Sequence, residues 1–148
     1  MFKHILIASD GSRLAQKAET AGLKLAKQIG AQVTAVTVTE AWDSLSMAAL
    51  AERNVANPVA DYEESVAAEA KGILQGVEED AKKIGVVCAT LHIKDSQPAA
   101  GIIVTAKERG CDLIVMATHG RRGISRALLG SQATKVVTLS SVPVLIFR

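Results

Sequence analysis

Residues 4–30 read "HILIASDGSRLAQKAETAGLKLAKQIG", and this stretch decides the fold. Its first part, "HILIAS" (4–9), is a short run with no polar break. Alternation would mark a strand with one wet face. A continuous apolar run marks a strand covered on both faces, as in a parallel sheet. "DGS" then predicts a tight turn, with Asp10 or Ser12 available to cap a helix. Leu14, Ala18, Ala21, Leu25 and Ile29 recur at spacings of three and four, the stripe of an amphipathic helix. Gly30 stands where a helix-ending glycine belongs. Strand, turn and helix in this order open an α/β unit.

The unit repeats outward along the chain. "AQVTAVTVT" (31–39) is rich in β-branched residues and predicts the second strand. "EAWDSLSMAALAERNVANP" (40–58) has weak periodicity and is long for a plain loop, with room for a short helix around Leu45 to Glu52. Val66, Ala70, Ile73, Val77, Ala81 and Ile84 predict a longer helix ended by Gly85. "VVCATLHI" (86–93) is the third strand. "DSQPAAGIIVTAKERG" (95–110) follows as a helix with Ser96 as a candidate cap and Pro98 in the first turn, where proline is tolerated. "CDLIVMAT" (111–118) is the fourth strand, a helix is expected from about Ser131, and "VPVLIF" (142–147) is the fifth strand. Alternation of this kind predicts an open parallel α/β sheet with helices on both faces. No composition shift or linker divides the 148 residues, so one domain, 1–148, is expected.

Composition narrows the function. Hydrophobic residues make up 49% of the chain and charged ones 22%, ordinary for a globular protein. A formal charge of +2 gives no ground for nucleic acid or a membrane surface as partner. No run approaches the roughly 18 apolar residues of a membrane span. The start, "MFKHILIASDGS", does not read as a signal peptide, because Asp10 closes its short apolar run. The expectation is a cytoplasmic protein. Cys88 and Cys111 lie in apolar runs without zinc spacing and are expected as buried, reduced thiols.

Charge that matters must therefore be local, and it gathers after the fourth strand. "ATHGRRGISRALLGS" (117–131) holds one histidine, three arginines and three glycines. In an open parallel sheet, ligands bind beyond the carboxyl ends of the strands. If the first and fourth strands are neighbours, Asp10 and this loop face one crevice. Gly120 and Gly123 would let backbone amides approach a ligand through angles closed to other residues. Gly130 and Ser131 would open a helix whose first N–H groups attract an anion. Arg121 and Arg122 can add charge-assisted bonds. These parts suit a polyphosphate, although a plain capped turn with solvated arginines has the same composition. The lysine-bearing phosphate loop and the G-x-G-x-x-G fingerprint are both absent. His119 could act as a general base near neutral pH, but no residue in the sequence is tied to it as an orienting partner.

"ILIASDGS", then "ATHG", nine residues and "GS", with "PVLIFR" at the end, resemble the universal stress protein family. Its ATP-binding members carry G-x-x-G, nine residues, then G-[ST]. Gly120, Gly130 and Ser131 match that spacing, and Ala117 stands at the first glycine. The resemblance runs through the whole chain. It implies a Rossmann-like fold of the adenine nucleotide alpha hydrolase type, with strand order 3-2-1-4-5. It implies that Ala8, Ser9 and Asp10 line the adenine and ribose pocket, that Val38 holds the base through its backbone, and that Met116 and Ala117 lie beside the nucleoside. Gly120, Gly130, Ser131 and Gln132 would surround the phosphates, with Arg121 and Arg122 beside them. The implied cofactor is ATP, with Mg²⁺ held mainly through the phosphates. The implied role is a nucleotide-dependent stress-response module with slow or no hydrolysis and no assigned catalytic residue. The implied partners are a second copy, paired through residues 143–148, and a protein not identified by the sequence. Some family members lack the glycine motif and act through protein contacts, so Ala117 keeps open a second reading, a protein-binding module without nucleotide.

Overall fold

A computed structural model describes residues 1–121 and 128–148. Five parallel strands form one sheet: β1 (His4–Ala8), β2 (Gln32–Val38), β3 (Cys88–Ile93), β4 (Leu113–Ala117) and β5 (Val144–Phe147). Their order is β3-β2-β1-β4-β5, as the resemblance implied. The helices among the described residues are α1 (Arg13–Ile29), α2 (Ser44–Glu52), α3 (Pro58–Ile84), α4 (Pro98–Glu108) and α5 (Ser131–Leu139). Among the described residues no helix is long and apolar enough to cross a membrane.

The central strand explains the architecture. Ile5, Leu6 and Ile7 of β1 are fully buried. Ile5 and Ile7 face a layer built from α1 and α3, where Ala18, Leu23, Ala26, Leu74, Val77 and Ala81 meet the sheet. Leu6 and Ala8 face the other layer, where α4 and α5 bring Ala99, Ile102, Ala106, Ala133 and Val136. Small alanines let the helices sit close to the sheet, which suits a core with few aromatics.

Several expectations need correction. The buried face of α1 is Ala15, Ala18, Gly22, Leu23 and Ala26; of the predicted stripe Ala18 is buried, Leu14 and Leu25 pack partly buried at its margin, and Ile29 is exposed. Gly22 explains the rotation: a methyl there would stand 2.9 Å from Ile7 Cδ1, so the helix presents its smallest residue to the sheet. Ser96 does not cap α4. The cap is Gln97, which makes no capping bond with its side chain, and Ser96 Oγ donates to the Gln97 carbonyl instead. β3 starts two residues late, and Val87 is exposed ahead of it. Cys111 is buried, whereas Cys88, on an edge strand, is only partly so. Within the 40–58 segment the short helix expected around Leu45 to Glu52 is present as α2, with Asp43 capping it through a bond from Ser46 N.

Candidate functional site

The β1–α1 turn is built around Asp10. Ser12 is the helix cap, its side chain accepting from Ala15 N, so Asp10 is free for another task. Asp10 Oδ1 accepts from Ser12 N at 2.9 Å, and Oδ2 accepts from Arg121 N at 2.8 Å. One carboxylate thus ties the exit of β1 to the exit of β4, and β1 and β4 are paired neighbours. Gly11 completes the turn with φ +74, a conformation that L side chains rarely adopt.

Gly120 is needed for space, not for an unusual backbone angle. A methyl on it would lie 2.6 Å from Asp10 Oδ2. The same holds for Gly130, whose methyl would lie 2.9 Å from the Thr118 carbonyl oxygen. Gly130 N donates to that oxygen at 2.9 Å, closing the loop on itself and aiming the start of α5 at the strand ends. Among the described residues no side chain caps α5, so its first amides keep their partial positive charge for the crevice. Arg122, Gly123 and Arg126 lie outside the described residues.

These elements enclose a cleft of about 480 Å³ at the carboxyl ends of β1, β2 and β4, within the range of small-molecule sites. Ala8, Ser9 and Asp10 line it from β1 and Val38 from β2. Met116, Ala117, Gly120 and Arg121 line it from β4 and the loop after it, and Gly130, Ser131 and Gln132 from the start of α5. Their side chains do not all act alike. Met116 and Val38 belong to the layer under α4 and α5, while the Ala117 methyl packs into the layer under α1 and α3. Gln132 Oε1 accepts from Ala99 N at 3.0 Å and so caps α4, which has no side-chain cap of its own. Arg121 pairs with Glu69 of α3. His119 lines the cleft with its ring next to Gly130.

Sequence reading missed the wall formed by α3. Tyr62, Val66, Glu69, Ala70 and Ile73 line the cleft, and the Tyr62 hydroxyl donates to the Glu40 carbonyl at 3.1 Å. The stripe Val66, Ala70 and Ile73 was legible but looked like core. The signal lay in length: α3 has 27 residues, about 40 Å at 1.5 Å each, and overhangs strands of four to seven residues. Glu19 was also missed. Ser9 Oγ donates to its Oε1 and accepts from Gly11 N at 3.0 Å. Burial pushes the Glu19 carboxyl above its ordinary value of 4.5, against the lowering effect of the Ser9 bond.

The arrangement offers an apolar flank (Val38, Ile102, Met116), polar strand ends, and an anion-seeking helix start beside a cation. A family model described as the universal stress protein family matches residues 1–148. Universal stress protein YxiE of Bacillus subtilis is 34% identical over 149 residues, covering 100% of each chain. The solved universal stress protein UspA from Lactobacillus plantarum superposes with a TM-score of 0.81 at 24% identity, over 99% of this chain and 97% of that one. A universal stress protein from Archaeoglobus fulgidus, solved in complex with dAMP, superposes with a TM-score of 0.69 at 19% identity, over 100% of this chain and 98% of that one.

Proposed function

The chain belongs to the universal stress protein family, and from that premise we propose that its crevice binds ATP and acts as a nucleotide-dependent switch, with slow or no hydrolysis. The observation that carries this reading is the meeting of Asp10, Gly120, Arg121, Gly130 and Ser131 around one cleft. The residues suit the ligand. Val38, Met116 and Ile102 offer an apolar seat for the base, and Asp10 offers a carboxylate beside it. The α5 start and Arg121 favour the phosphates, and Mg²⁺ would be held mainly through those phosphates. The dAMP-bound relative supports an adenine nucleotide as the ligand class. The output would be the conformation of the loop after β4, read by a protein partner. A second copy would join through β5.

Titration calorimetry with ATP and Mg²⁺, on protein freed of carried-through nucleotide, tests the site. Wild-type protein should bind. Gly130→Ala places a methyl 2.9 Å from a backbone oxygen and should displace the start of α5. Affinity should fall about tenfold or more, equivalent to about 1.4 kcal/mol, with the circular dichroism spectrum unchanged. Absence of binding by folded wild-type protein would favour the protein-binding reading instead.

A further inference from the structure

We infer that Thr37 is a specificity-determining contact of the crevice, its hydroxyl bonding an uncharged hydrogen-bonding group on the nucleoside part of the ligand; this rests on the nucleotide reading above. Thr37 sits near the end of β2 and lines the cleft. Only 3% of its surface is exposed. Among the described residues, its Oγ1 is the buried side-chain polar atom that has no hydrogen-bond partner. A buried hydroxyl without a partner is unfavourable, and folded proteins rarely leave one without a reason.

The neighbouring polar groups cannot supply that partner because they are engaged with one another. Continuing the β1–β2 register one step past Ala8 and Val36 sets Ser9 beside Thr37. Ser9 Oγ is occupied by Glu19 and Gly11 N. On the next strand His92 is the register partner of Thr37, yet its Nε2 is bonded to Thr39 Oγ1 at 2.7 Å. Thr37 lines the cleft, and a turn of its side chain toward a ligand seated there would give the hydroxyl its missing partner.

Charge decides which part of the ligand that is. The Glu19 carboxyl lies beside Ser9, and Asp10 follows Ser9 in the chain. An anion is disfavoured next to these carboxylates. The α5 start, with its uncapped amides, belongs to the β4 side, whereas the Arg121 guanidinium reaches back over Gly11 to Glu69 of α3. The phosphates therefore take the β4 side, and Thr37 meets a hydroxyl, amine or ring nitrogen. One hydroxyl can donate once and accept, so it suits any of these groups.

Thr37→Val keeps the shape and removes the hydroxyl. Binding of ATP, adenosine and inorganic tripolyphosphate is measured by calorimetry, and the thermal midpoint of the free protein by scanning calorimetry. The substitution should weaken ATP and adenosine alike, by about three- to tenfold, and leave tripolyphosphate unchanged. Thr37→Ser should retain nucleotide affinity. The free Thr37→Val protein should melt roughly 2–4 °C higher, because the unpartnered hydroxyl is gone. ATP affinity unchanged in Thr37→Val, with wild type binding, overturns the assignment and leaves the nucleotide reading standing. Equal weakening of tripolyphosphate also overturns it, since the effect would then be on the fold of the cleft. Wild-type protein that binds neither ATP nor adenosine overturns the nucleotide reading and this inference with it.

Discussion

Ala117 stands where the family's ATP-binding members have glycine, and the direction of its methyl determines what that difference does. It is 6% exposed and packs with Ile7, Val115 and Phe147 in the layer covered by α1 and α3. A methyl directed into the core has little to press against in the cleft. Ala117→Gly should therefore leave ATP affinity within about twofold, while the lost burial and the looser backbone lower stability by about 1–2 kcal/mol. Calorimetry and urea denaturation read the two effects separately, and a gain of tenfold in affinity would show that the methyl does intrude. At this scale the sequence was informative where a residue type has few alternatives. Gly130 and Asp10 were legible because a turn glycine and a strand-end carboxylate have few other uses. The reason Gly120 is glycine was not legible, because its neighbour, the Asp10 carboxylate, is 110 residues away in the chain. Cys111 shows the reverse case: its apolar run predicted burial, and burial pushes its thiol up to about 11. It should react slowly with alkylating agents at neutral pH.

Helix α1 carries a pH dependence that its sequence pattern does not reveal. Glu19 sits on α1, half-buried against Ser9, with Asp10 and Asp80 near enough to oppose its ionisation. Its carboxyl is raised, so the folded chain holds this proton more tightly than the unfolded chain does. The associated stability is fully present below the ordinary value of 4.5 and is lost as pH rises through the higher folded value. Glu19→Gln keeps an acceptor for Ser9 and removes the charge. The variant should be more stable than wild type at pH 7, with the gap closing below 4.5. Urea denaturation at several pH values measures this, and a gap that does not vary with pH would exclude Glu19 as its source. Helix ends were easier to read than helix faces. Gly30 and Gly85 end α1 and α3 in the left-handed conformation, as their positions suggested. The face of α1 was misjudged because Gly22 and several alanines, weak markers of burial, do the packing that larger residues do elsewhere.

At the scale of the molecule, alternation of strands and helices was enough to establish a parallel sheet, but not the order of its strands. Order depends on which strand each helix returns to, a long-range choice that leaves no local pattern, and it came from the family resemblance. That order leaves β3 and β5 as the two edges, and an uncovered edge invites another strand. The β5 edge carries exposed apolar side chains. Leu145 is 37% exposed on the strand, and Val137 and Leu139 of α5 are 45% and 66% exposed. Val144 and Ile146 point into the layer beneath α4 and α5, so the strand can present its edge without leaving the core. Pairing of two copies along β5 would cover these side chains, and a stable pair needs about 800 Å² from each chain. Leu145→Lys puts a charge on that edge while leaving the buried residues of β5 in place. By sedimentation velocity, wild-type protein should be a dimer and Leu145→Lys a monomer with the same circular dichroism spectrum. A dimer that survives the substitution would move the contact away from β5, and a monomeric wild type would leave the apolar edge free for a different protein.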